Sequence, residues 1–129
     1  MSAQRRVVLS PNAPAPVASY SQAIASGDLL FCSGQIAIDP ATGQMVQGGI
    51  EAETEQVLAN LQAVLAAAGA SFADVIKTTV YLADFSEFQA MNAVYMRAFP
   101  SEPPARATVG VVALPRGAQI ELEAIARLP

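Results

Sequence analysis

The sequence predicts an α+β fold, a mixed β-sheet with two helices packed on one face. Two segments, 50–68 and 84–99, repeat apolar residues at helical spacing. Segments 29–38, 75–83 and 119–127 are instead β-branched or alternate apolar with polar residues. The resulting order, strand–helix–strand–helix–strand, makes both helices crossovers on one side of a sheet. At 129 residues the chain fits one domain, 1–129, around a single core.

In chain order, residues 5–9 read as a short edge strand stopped by Ser10-Pro11-Asn12, and the proline-rich 11–16 runs extended. Tyr20 and Ser21 follow without clear periodicity; a tyrosine here ordinarily packs its ring and bonds its hydroxyl to backbone. Ser26-Gly27-Asp28 is a turn, and 29–38 (LLFCSGQIAI) is a strand interrupted by Gly34. A mid-strand glycine contributes no packing, so it marks a bulge or the close approach of a ligand or another strand. The turn at 39–43 leads into a short return arm at 44–46, closed by Gly48-Gly49. These are turn glycines, and no phosphate-cradling pattern is present.

In the first helix Val57, Leu58, Leu61, Leu65 and Ala68 form one stripe, and Gly69 stops it. Glu51, Glu53 and Glu55 lie near its start, where the helix dipole favours negative charge. Their spacing of two spreads them around the helix, which predicts solvated side chains rather than a metal site. Residues 75–83 (VIKTTVYLA) are a strand. Asp84 with Glu87 resembles a capping box opening the second helix, which ends before Pro100. Its stripe of Phe85, Phe88, Tyr95 and Phe99 also contains Asn92. A buried amide needs partners, so Asn92 either ties down a loop or faces a ligand.

Pro103-Pro104 disfavours helix and stiffens the chain just before Arg106. Residues 107–114, the Pro115-Arg116-Gly117 turn and 119–127 then read as a β-hairpin. Its second arm puts Glu121 and Glu123 on one face and Ile120, Leu122, Ala124 and Ala126 on the other. A cation and two carboxylates would thus come from neighbouring strands, with an ordinary cross-strand ion pair between Arg106 and Glu121 as the competing reading.

Composition narrows the chemistry. With 53% hydrophobic and 14% charged residues, the chain has more apolar surface than so small a domain readily buries, which points to self-association. A net charge of −4 with scattered basic residues offers no stripe for phosphates, so nucleic acid is a poor partner. The absence of histidine excludes Ser-His-Asp and Cys-His catalysis within the chain and disfavours a transition-metal site. The single cysteine, Cys32, sits in an apolar run and reads as a buried structural thiol rather than a nucleophile. The N-terminal apolar run is too short for a signal peptide or a membrane span, and a soluble cytoplasmic protein is the expectation.

Four stretches, CSGQIAIDPATG, DVIKTTVYLADF, MNAVY and above all PPARATVGVVALPRGAQIELEAIA, resemble the RidA/YjgF family of enamine and imine deaminases. The resemblance covers nearly the whole chain. It implies a chorismate-mutase-like fold, a homotrimer with active sites in clefts between subunits, and no metal or organic cofactor. It also implies small reactive substrates such as 2-aminoacrylate, 2-iminopropanoate and 2-iminobutanoate, hydrolysed to 2-oxo acids and ammonia. By position the carboxylate-binding arginine falls on Arg106 and the water-handling glutamate on Glu121. The cleft residues fall on Tyr20, Ser33, Gly34, Phe88 and Asn92. Many relatives carry cysteine two residues after the arginine, where this chain has Thr108. A role for the backbone carbonyl there survives the exchange; thiol chemistry does not.

On this resemblance Arg106 would grip the substrate carboxylate with two parallel hydrogen bonds, and Glu121 would handle the attacking water. Burial would raise the glutamate's pKa and a nearby Arg106 would lower it. The other readings are a non-catalytic carboxylate-binding or chaperone-like trimer, and an endoribonuclease or translation inhibitor.

Overall fold

The structure, a computed structural model, describes residues 4–129. Six strands and two principal helices follow one another as β1 (Arg5–Val8), β2 (Ala23–Ser26), β3 (Leu29–Gln35), α1 (Gly49–Ala67), β4 (Val75–Leu82), α2 (Phe88–Ala98), β5 (Ala105–Gly110) and β6 (Ile120–Arg127). They form one mixed sheet in the order β1-β2-β3-β6-β4-β5, in which only β4 and β5 are parallel neighbours. The α+β architecture is therefore as expected, with β3-α1-β4 and β4-α2-β5 as its two crossovers.

The core lies between the sheet and the two helices. Alternation along β6 buries Ile120, Leu122, Ala124 and Ala126, while β4 contributes Val80 and Leu82 and β3 contributes Leu30 and Cys32. From above, α1 inserts Val57, Leu61, Val64 and Leu65, and α2 inserts Met91, Val94 and Tyr95. The other sheet face has no helix over it. Across it runs an apolar row, Val7–Ile24–Phe31–Ile125, set by the pairing register.

The expected terminal hairpin does not form. Strand β4 lies between β5 and β6, so Arg106 and Glu121 are not on neighbouring strands. The physical reason is burial: β6 and β4 are buried on the helix side, by apolar residues apart from Thr78, and pair with each other at the centre, whereas β5 is exposed at alternate positions and takes the edge. It stops at Gly110 instead of running to Leu114, and Val112 is fully exposed. Pro115–Gly117 forms a one-turn 3₁₀ element in which Arg116 is left-handed (φ 58°, ψ 26°).

Several local expectations also change. Strand β2 had no periodic signal because only four small or apolar residues form it. The strand predicted at 29–38 ends at Gln35, after a bulge between Cys32 and Gln35, and the arm at 44–46 is reduced to a single bridge, Ile38 to Met45. Asp84 does not pair with Glu87 in a capping box. Its carboxylate accepts from Ser86 N (3.0 Å) and Ser86 Oγ (2.7 Å), which caps a 3₁₀ turn, delays α2 to Phe88 and leaves Phe85 exposed. Glu53 is not solvated. It is buried and accepts the Gln119 backbone N–H at 2.9 Å, clamping α1 to the chain just before β6.

Candidate active site

Register decides which sequence-predicted residues meet. Arg106 is aligned with Thr78 on β4, and Thr78 with Ala124 on β6; aligned residues share a face, so Arg106 projects from the helix-covered side. Glu121 is aligned with Tyr81 and, by alternation along β6, projects from the open side. The two groups expected to do the chemistry therefore stand on opposite faces of one sheet. Among the described residues no ion pair joins them, which removes the cross-strand salt bridge as an explanation of either.

Each has its own setting. Arg106 donates from Nη1 to Asn92 Oδ1 at 2.7 Å, and its guanidinium carbon lies 4.6 Å from the Tyr95 ring centroid and 5.5 Å from that of Phe88. The three α2 residues sit at positions 88, 92 and 95, one helical face looking onto β5. Asn92 thus satisfies its amide carbonyl on the arginine, rather than on a loop. The guanidinium has five N–H donors, so one bond to Asn92 leaves enough for a bidentate grip on a carboxylate. Beside it opens a cavity of about 470 Å³ lined by Asn92, Tyr95, Met96, Phe99, Pro103 and Arg106.

Tyr95 was legible only as part of an apolar stripe. Its ring is buried, and its hydroxyl shares a 2.8 Å hydrogen bond with Thr78 Oγ1. Burial raises its pKa, outweighing the opposing effects of Thr78 and Arg106, so the phenol stays neutral. Thr108, two residues beyond Arg106 on the same face, has a buried hydroxyl with no hydrogen-bond partner among the described residues.

Glu121 lines a second cavity, of about 430 Å³, with Tyr20, Ser33, Gly34, Ile36 and Arg116. Gly34 is required here by close approach: a Cβ would collide with the carboxylate and stand 2.8 Å from Glu121 Cδ. The Ser33 hydroxyl donates to Ser21 O at 2.6 Å and so holds the segment bearing Tyr20. Buried Gln22 reinforces that segment by donating to Ser10 O (3.1 Å) and Pro14 O (2.9 Å), fixing the proline-rich stretch against β2. Burial and, second, the charge of Glu123 raise the Glu121 pKa above its ordinary 4.5. Within one chain Arg106 does not oppose that shift. Glu123 also keeps the Tyr81 phenol above its usual range, after a larger effect of desolvation.

Cys32 is buried, and desolvation pushes its thiol up to about 12, which makes it inert as a nucleophile at neutral pH. Among the described residues no group of three or more Cys, Asp or Glu is placed to hold a metal ion, and no helix is long and apolar enough to cross a membrane.

The family model described as Endoribonuclease L-PSP matches residues 10–128. A RutC family protein of Pyrococcus horikoshii is 52% identical over 122 residues, covering 95% of this chain and 97% of its own. The human 2-iminobutanoate/2-iminopropanoate deaminase is 46% identical over 122 residues, covering 95% and 89%. Among solved structures, RidA from the Antarctic bacterium Psychrobacter sp. matches with a TM-score of 0.92 at 40% identity, over 95% of this chain and 99% of its own. Agreement of sequence and fold over almost the full length means that this chain belongs to the RidA/YjgF family.

Proposed function

We propose that the protein is a cofactor-independent deaminase that hydrolyses 2-iminopropanoate, 2-iminobutanoate and their enamine tautomers to 2-oxo acids and ammonia. The carrying observation is the pair of half-sites: a guanidinium held without a neutralising carboxylate, and a carboxylate of raised pKa in a glycine-walled niche. The name of the human relative supports the same chemistry. Because the half-sites face opposite ways, a second copy must complete each one, and a homotrimer with sites between subunits is the assembly proposed. In that assembly Arg106, backed by Phe88 and Asn92, meets the Glu121 niche formed by Tyr20, Ser33 and Gly34 of the next copy.

Arg106 binds the substrate carboxylate through two parallel charge-assisted hydrogen bonds and so fixes the imine carbon. Glu121 accepts a proton from water as the C–O bond forms, while the C=N π electrons move to nitrogen. The Thr108 backbone carbonyl helps to orient that water. Glu121 returns that proton to nitrogen to give the neutral carbinolamine. It then takes the carbinolamine hydroxyl proton and passes it to nitrogen as the C=O π bond forms. The C–N bond breaks with its electrons leaving on ammonia, and the 2-oxo acid remains. A raised pKa suits this double duty, since proton transfer is most effective with a group whose pKa approaches the working pH. General acid–base catalysis of this kind supplies about 10²- to 10⁴-fold, adequate for imines that also hydrolyse unaided.

The test couples a serine or threonine dehydratase to the protein and follows 2-oxo acid appearance. Acceleration by the wild type and its loss in Arg106→Ala are expected; no acceleration by the wild type, or full activity in Arg106→Ala, refutes the proposal. The description of the matching family model favours RNA cleavage as a second reading. Cleavage by a nuclease-free preparation that disappears in Arg106→Ala would select it.

A further inference from the structure

From the packing around Arg106 we infer that Tyr95, anchored by Thr78, is a positioning residue that fixes the guanidinium plane and thereby sets affinity for the substrate carboxylate. This rests on the deaminase reading for its substrate and on geometry for its mechanism. Arg106 lies on an edge strand whose neighbouring residues Ala105 and Ala107 are exposed and too small to confine a long side chain. No carboxylate pairs with it among the described residues. Its restraints are neutral groups: the Tyr95 ring at 4.6 Å, the Phe88 ring at 5.5 Å and the Asn92 carbonyl at 2.7 Å. Aromatic faces and an amide hold a guanidinium in place without cancelling its charge, which leaves that charge for an incoming anion.

Tyr95 is the better fixed of the two rings. It is 4% exposed, its ring packs on Phe99 at 4.8 Å between centroids, and its hydroxyl is tied to Thr78, itself fully buried. Thr78 is also the β4 residue aligned with Arg106. The chain of contacts therefore closes on itself: β4 holds Thr78, Thr78 holds the Tyr95 hydroxyl, and the Tyr95 ring supports the guanidinium carried by the adjacent strand.

The experiment compares Tyr95→Leu, Tyr95→Phe and Val64→Ala with the wild type. It reads the Kd of 2-oxobutanoate by calorimetry, kcat and KM for 2-iminobutanoate, and the rotation of the Arg106 guanidinium by side-chain NMR. Loss of the ring in Tyr95→Leu should raise Kd and KM about two- to thirtyfold, the range of a cation–π contact from exposed to desolvated. The kcat should move less, and guanidinium rotation should quicken. Tyr95→Phe keeps the ring but loses the Thr78 hydrogen bond, so its rise in Kd should be smaller than that of Tyr95→Leu. Val64→Ala should lower thermal stability without weakening 2-oxobutanoate binding, because Val64 is buried on α1 away from the arginine.

Unchanged Kd and unchanged Arg106 rotation in Tyr95→Leu would overturn the inference, as would an equal loss of affinity in Val64→Ala. If Tyr95→Leu does not fold, Thr78→Val frees the Tyr95 hydroxyl with the ring still present. It should give a smaller rise in Kd and faster Arg106 rotation, and wild-type values of both would overturn the inference. A wild type that neither binds 2-oxobutanoate nor turns over imines refutes the deaminase reading instead; Arg106 rotation in the variants then still decides the role of Tyr95.

Discussion

Placement of Arg106 and Glu121 on opposite faces of one sheet gives a sharp expectation for mixed oligomers. Arg106→Ala destroys one half-site and Glu121→Gln the other, so each variant alone should lose about 10²-fold or more of its activity. Co-assembly changes this. A site between two chains is intact when its arginine comes from a Glu121→Gln chain and its glutamate from an Arg106→Ala chain. Random pairing of equal amounts makes that combination at about one interface in four, in any assembly with a head-to-tail interface. Activity should therefore recover to about one quarter of wild type in the unselected mixture, and to about one third in doubly tagged trimers, where each mixed ring has one intact interface of three. A site built within a single chain would recover nothing, since every chain carries a broken half. The assay is the dehydratase-coupled appearance of 2-oxo acid, measured on co-expressed variants bearing different tags and purified through both. Doubly tagged oligomers that stay as inactive as either parent, beside an active wild type, would refute the shared-site reasoning.

Three further predictions concern the Glu121 niche and, on the other face, Thr108. Gly34→Ala should leave the fold intact, because the clash is with the end of a flexible side chain, yet cost up to about 10²-fold in kcat by displacing the carboxylate; a wild-type rate would show that the carboxylate is not used where it stands. The raised Glu121 pKa favours the protonated form in the folded state, so its contribution to stability is full below the ordinary 4.5 and is lost as pH rises through the folded value. Accordingly Glu121→Gln should be more stable than wild type at neutral pH and equal to it in acid, and the acid limb of kcat/KM should move down in Glu123→Gln, as pH-dependent denaturation and rate profiles would register. Thr108→Val replaces an unpartnered buried hydroxyl with a methyl group and should raise stability by about 1 kcal/mol with deaminase activity kept, if only the backbone carbonyl of that residue serves the reaction; thermal melts and the coupled assay read both outcomes.

The long periodic elements were legible because their burial has a simple period. The α1 stripe and the alternation of β4 and β6 hold almost residue by residue, and Gly34 was visible as a close-approach position before its neighbour was known. What the sequence concealed was strand order. Residues 105–127 look like a hairpin because a strand, a turn and a strand follow in line, yet hairpin pairing would have put an exposed strand at the centre and the apolar β4 at the edge. Burial of β4 between β5 and β6 overrides the local turn signal. Short elements failed for a related reason: β2 has four residues, and only its partners β1 and β3 define it. Tyr95 was hidden by its dual nature, an aromatic ring that belongs in a core stripe and a hydroxyl whose partner, Thr78, lies seventeen residues away. Glu53 was misread because nothing near it in sequence announces that its acceptor is needed by Gln119, 66 residues on.

The open sheet face ties assembly to chemistry. Val7 and Phe31 are 61% and 44% exposed there, in a row with Ile24 and Ile125 that no element of the same chain covers. Apolar surface of this kind favours association. Glu121 and Glu123 project from the same face, so the surface that gains from being covered also carries the proposed water-handling group. Covering it removes water from Glu121, which by itself pushes the carboxyl further towards its neutral form. The partner's Arg106 pulls the other way; it joins Arg116, which lines the niche from the same chain but donates to Gly43 O. A single chain would thus hold a carboxylate of raised pKa with no substrate anchor, and only the assembled protein would combine a charged base with the guanidinium that places the imine before it. In this reading the apolar row is part of the catalytic apparatus: weakening it by Phe31→Lys should cost activity through dissociation, and raising protein concentration should restore that activity, whereas concentration should not rescue Arg106→Ala.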